Sequence, residues 1–148
     1  MSNYKSKLIT AARILLGLIF FVFGLDGFLH FVPQPAPVGN AAVFIGGLAA
    51  TGYFFPLLKG VELLAGAALL ANRFVPLALT VLAPIVVNIV AFHAVMAPQG
   101  MPMAGAILLA QLGLAWAHRK SFAPLLASRS HLKAESPARS ARPVRMAA

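Results

Sequence analysis

The sequence predicts an all-α membrane protein, a bundle of four transmembrane helices. Three observations carry that reading. Apolar residues make up 60% of the chain and charged residues only 10%, whereas soluble domains run nearer a quarter charged. The apolar residues come in long blocks rather than in short alternating runs. The basic residues bracket those blocks instead of scattering among them. At 148 residues the chain makes one domain at most.

A bilayer core needs about 20 residues of helix, and the blocks are matched to that length in order. The first span is placed at residues 8–32, in an apolar run interrupted by Thr10, Arg13 and Asp26. It starts near Lys7 and stops before Pro33, because Pro33-Gln34-Pro35-Ala36-Pro37 cannot continue a helix. The segment Asn40 to Thr51 is apolar, short and glycine-rich, and predicts an interfacial helix or the slanted start of the second span. That second span is placed at 54–71, with Tyr53, Phe54 and Phe55 as an aromatic belt and Pro56 in the first turn. The third covers 73–96, with Pro76 tolerated in its first turn and Pro84 inside it, where the freed carbonyl of Thr80 predicts a kink. The fourth covers 101–118, and its Ala106, Ala110, Gly113 and Ala117 share a face small enough for close helix approach. Residues 1–127 then form the transmembrane domain, and 128–148, rich in Arg, Ser and Pro, a disordered basic tail.

Orientation follows from charge. The net charge is +9, and its placement argues against nucleic acid. Lys5, Lys7 and Arg13 open the first span, Arg73 sits in the turn after the second, and Arg119 and Lys120 close the fourth. The connections Pro33 to Pro56 and Pro98 to Gly100 carry no charge. Lys and Arg gather on the cytoplasmic side, so both termini are placed there. The tail arginines then rest on anionic lipid, and no aromatic residue interleaves them as nucleic-acid stacking would require. A cleaved signal peptide fits poorly, because the first apolar run exceeds the usual ~7–15 residues and no small-x-small site follows it cleanly. The absence of cysteine excludes thiolate chemistry.

The informative residues are the polar ones inside the spans, since an ionisable group at membrane depth costs roughly 2.5–3.5 kcal/mol and marks a site by default. Asp26 lies about 27 Å along the first helix from Leu8, at ~1.5 Å per residue, close to the outer surface. His30 follows one turn later on the same face. Lys59 falls in the first turn of the second span with Glu62 a turn below, and Asn88 and His93 reach the same depth on the third. These six form the candidate cluster. Asp26 is expected to pair with Lys59 or His30, and Glu62 to share His93 or Asn88. Arg13 stands apart as an anchor at the inner end, reaching the headgroups.

Four readings of the cluster compete. Its groups can simply hold helices together and set their register. They can line a quinone pocket, with Phe20, Phe23, Phe28 and Phe92 flanking the ring. Asp26, His30, Glu62 and His93 chemically suit zinc or iron. Transport fits poorly, for want of an internal repeat or a charged axial path, although a homo-oligomer does better.

The segments ARILLGLIFFVFGLDGFLHF, LLKGVELLAGAALLANRFVPLAL and NIVAFH resemble the DoxX family of small four-helix bacterial membrane proteins, from Arg13 to about Lys120. The resemblance gives Glu62, in Gly60-Val61-Glu62-Leu63-Leu64-Ala65-Gly66, the place of a recurrent glutamate. Arg13 takes that of an arginine opening the first helix, and His93 that of a histidine ending the third. Asp26 departs from the commonest pattern, which has a lysine there. The resemblance implies a four-helix bundle in the bacterial inner membrane, linked to thiosulfate:quinone oxidoreductase subunits and to membrane complexes against oxidative stress. The expectation is an accessory, quinone-linked subunit with redox partner proteins. The alternative is a structural membrane partner without catalysis.

Overall fold

The computed structural model describes residues 2–123, so the tail expected at 128–148 lies outside the described residues. Those residues form six helices: α1 (Ser2–Leu29), α2 (Gly39–Ala50), α3 (Phe54–Leu70), α4 (Val75–Val95), α5 (Met101–Ala117) and α6 (Arg119–Phe122), with a 3-10 turn at Pro98–Gly100. Three helical stretches are long and apolar enough to cross a membrane, and four if α2 and α3 are counted as one bent span. α1 begins earlier than expected from Lys7, because Ser2 to Ser6 contain no proline or glycine to break it. It ends at Leu29, four residues before Pro33, where His30 turns left-handed (φ 51°) and donates its N–H to the Asp26 carbonyl at 2.8 Å.

The chain ends of the other helices are closed by short-range bonds. Thr51 joins α2 to α3: its hydroxyl donates to the Leu48 carbonyl (2.7 Å) and accepts from the Phe54 N–H (3.2 Å). Gly52 supplies the positive φ of 72° that the turn requires, and α3 leaves α2 at 92°. After α3, Asn72 turns left-handed (φ 53°), and the N–H groups of Arg73 and Asn72 return to the carbonyls of Ala68 (2.9 Å) and Leu69 (3.1 Å). This double return closes the helix in a Schellman motif. The Arg13 guanidinium completes it by donating to the carbonyls of Leu69 and Leu70. Arg13 therefore caps the negative end of α3. α4 carries Pro76 in its first turn and remains helical through Pro84.

In cross-section α1 lies against α3 and α5, and α4 closes the ring by lying against the same two. The core runs along the axis through Leu16, Phe20, Leu69, Leu79, Leu82, Val86 and Leu114. Closest of all is the α1–α3 contact. A Cβ on Gly24 would lie 2.6 Å from the Leu63 nitrogen, and one on Gly66 would overlap the Phe21 nitrogen and lie 2.9 Å from the Gly17 carbonyl oxygen. The two backbones meet through glycine. The small face expected on α5 is not used this way. Ala106 and Gly113 are exposed, a Cβ on Gly113 meets nothing, and α5 buries Ala104, Ile107, Gln111 and Leu114 instead. Leucines and valines also cover the outside of the bundle, among them Leu15, Leu64, Leu77, Val87 and Leu109, as a lipid-facing surface requires.

Gly66→Ala should lower the thermal unfolding temperature in detergent by the equivalent of about 1–3 kcal/mol, because only backbone faces the added methyl. Gly46→Ala, which meets open space, should be neutral or slightly stabilising, since alanine is the better helix former.

Candidate functional site

The bundle has a basic end, where Arg13, Arg73 and Arg119 lie, and an opposite end carrying the proline-rich connection. The axial core gives way near that opposite end to a cavity of about 360 Å³. All of the first five helices reach it. α1 contributes Phe20 and Phe23, α2 contributes Phe44 and Leu48, and α3 contributes Phe54, Phe55 and Leu58. α4 brings Ile89 and Phe92, and α5 brings Met103, Ala104 and Ile107. Phe44 and Phe92 pack ring to ring with centroids 5.9 Å apart, so α2 is fastened across to α4. Phe28, expected at the ring site, is 47% exposed and is not part of the wall.

Four of the six candidate polar residues reach this cavity: Lys59, Glu62, Asn88 and His93. Glu62 is 4% exposed and is neutralised by Lys59, whose Nζ stands 2.8 Å from Oε2. The pair is one helical turn apart on α3, a spacing that puts both side chains on one face. The stem of Lys59 crosses α1 at Gly27, where any Cβ would collide with it. His93 is half-buried, stands edge-on to Phe92 (87°), and places Nδ1 2.8 Å from the Ile89 carbonyl oxygen. The backbone of Gly100 closes over its ring, at a spot where a Cβ would overlap the imidazole.

The expected pairing of Asp26 is corrected. Asp26 is 6% exposed, yet its carboxylate is held by neither Lys59 nor the His30 side chain. Oδ1 accepts the Val32 N–H at 2.7 Å and Oδ2 accepts Gln34 Nε2 at 3.2 Å. The carboxylate fastens the connection after α1 back onto the helix that carries it. Lys59 passes close by at Gly27 but delivers its charge to Glu62, and Glu62 takes that ion pair rather than His93 or Asn88. His30 is exposed. Among the described residues no three His, Asp or Glu side chains converge as metal ligands, so Asp26, His30, Glu62 and His93 do not form the set that zinc or iron would use.

Two polar residues of interest escaped the sequence. Gln34 lines the cavity although it sits between Pro33 and Pro35, a stretch that reads only as a helix breaker. The one available signal was a long amide between two residues that have no N–H to donate. Gln111 is buried away from the cavity and ties α5 to α4 by donating to the Leu79 carbonyl at 2.6 Å. Phe54 and Phe55, read as an interfacial belt, prove to be cavity wall.

Protein-family models, curated proteins and solved structures offer no match to this chain. What the cavity can do rests on its own groups. It is mostly aromatic and aliphatic, with a part-buried ion pair, an imidazole and amides at fixed points, the composition expected of a site for a small apolar molecule with a polar end.

Lys59→Met leaves the Glu62 carboxylate buried without its partner. It should cost about 1–3 kcal/mol of stability, and more than the double variant Lys59→Met/Glu62→Gln, which removes both charges. Thermal unfolding of the three proteins at neutral pH measures the difference.

Proposed function

We propose that the chain is a DoxX-like inner-membrane protein that binds a quinone in this cavity and serves as an accessory, redox-associated subunit. The carrying observation is the placement of the Lys59–Glu62 pair inside a pocket walled by Phe20, Phe23, Phe44, Phe54, Phe55 and Phe92. A cavity of about 150 Å³ takes a benzene ring, so 360 Å³ has room for a substituted ring and the start of a tail. Glu62 supplies a carboxylate that can exchange a proton with a ring hydroxyl, and a partner protein in the same membrane supplies the electron acceptor. In this reading both termini and the basic end face the cytoplasm, in keeping with the rule that Lys and Arg stay inside. α2, turned by 92° from α3, lies along the outer interface as the roof of the pocket. The inner-membrane setting rests on the resemblance to DoxX proteins.

A second reading, a structural membrane partner, has its own support. Arg13 and Asp26 are both engaged in closing helix ends and connections, which is the work of structure. The two readings part on ligand binding. Titration of the purified protein with a short-tailed quinone, held oxidised or reduced, should show saturable binding of at least one form. Glu62→Gln should weaken it about tenfold, a loss of ~1.4 kcal/mol, while the protein stays folded, because the glutamine can still accept from Lys59. No saturable binding, together with a lowered unfolding temperature for Glu62→Gln, would favour the structural partner.

A further inference from the structure

The polar groups of the cavity are not neutral as to which end of a hydrogen bond they offer. Gln34 meets Asp26 through Nε2 at 3.2 Å. An ionised carboxylate has no hydrogen to give, so the amide can face it only with its NH2 group. That leaves Oε1 as the end of Gln34 available to the cavity it lines. His93 obeys the same logic. Its Nδ1 lies 2.8 Å from the Ile89 carbonyl oxygen, which only accepts, so Nδ1 carries a proton, and the Nε2 edge of the ring lies against Gly100. Glu62 is an acceptor by nature, and its ion pair with Lys59 uses Oε2. Gln34 Oε1 and the Glu62 oxygen outside the ion pair are therefore the acceptors whose place is fixed by their own partners, while Lys59 gives one N–H to Glu62 and Asn88 brings both a donor and an acceptor to the same wall.

We propose that Asp26 is a positioning residue that holds the Gln34 carbonyl toward the cavity, and that the site takes an apolar ring bearing a hydroxyl, a phenol or quinol, in preference to the same ring without a hydrogen to donate. The inference deepens the quinone reading and rests on the cavity being the ligand site. It also accounts for Asp26 being buried at the end of α1. The carboxylate does not touch the ligand; it settles which way an amide points.

A matched pair of probes tests this, para-heptylphenol and para-heptylanisole, which differ by the hydroxyl hydrogen and a methyl group. Each is titrated calorimetrically into the full-length protein in nanodiscs at neutral pH, with empty nanodiscs correcting for partition. The phenol should bind about tenfold more tightly than the ether, about the worth of one hydrogen bond. Gln34→Leu should cut that preference at least about threefold by removing the acceptor. Asp26→Asn should cut it similarly. The substituted amide keeps the Val32 N–H on its carbonyl and offers its own N–H to Gln34, which must then turn its NH2 group to the cavity. Gln34→Leu sits in an exposed connection and keeps the test open if Asp26→Asn fails to fold. Equal binding of the two probes to the unaltered protein would overturn the proposal and leave the pocket standing. An undiminished preference in Gln34→Leu would overturn the role given to Asp26 and Gln34. Binding of neither probe would overturn the quinone reading and this inference with it.

Discussion

Everything in this bundle is placed by the backbone contact between α1 and α3. Lipid tails are as apolar as leucine, so no hydrophobic force draws helices together within a bilayer, and close dispersion packing must do it. Gly17, Gly24 and Gly66 let the two backbones come within reach of each other along two turns and more. The same contact locates the chemistry. Gly24 lies against Leu63, the residue next to Glu62, and Gly27 makes way for the stem of Lys59. The ion pair can enter the cavity because α1 has no side chain where Lys59 must pass. A wider crossing would displace α3, and with it the buried carboxylate of the pocket wall.

The polar residues divide according to what they satisfy. Arg13, Asp26 and Thr51 serve groups that helix ends leave open: carbonyls at the end of α3, an N–H after α1, and one group on each side of the α2–α3 turn. Leaving such groups open costs most where water is scarce, so polar side chains near helix ends are drawn to them first. Lys59, Glu62, Asn88, His93 and Gln34 open instead into space that the rest of the chain does not fill. Asp26 links the two sets, since one oxygen closes the connection and the other holds an amide of the cavity.

Helix positions were legible in the sequence because they depend on local properties, apolar length and the breakers at its ends. The second, third and fourth spans differ from the observed α3, α4 and α5 by one or two residues at their ends. A fixed rise per residue puts Lys59, Glu62, Asn88 and His93 at one level of the bundle, and all four line the same cavity. Rotation about each helix axis was not legible. Nothing in hydropathy says that Lys59 turns to Glu62 rather than to Asp26, nor that α5 packs on Ala104, Ile107 and Leu114 instead of on its smaller residues. The α1–α3 glycines were hidden because glycine is common in apolar helices, and only the partner backbone reveals which ones are needed. Gln34 was hidden by its proline neighbours, which mark a connection but not where that connection folds.

The central claim is that the space between the helices at the proline-rich end holds a small molecule. Native mass spectrometry of the full chain, gently extracted from its own membrane, addresses it most directly when paired with a variant that fills the space, such as Ala104→Phe. Ala104 is fully buried and lines the cavity, so the larger side chain occupies the room a ligand would use. The account predicts an added mass in the range of a lipid-soluble ring compound, present on the unaltered protein and missing from the folded variant. A bare chain, a chain carrying only phospholipid, or the same added mass on both proteins would contradict it.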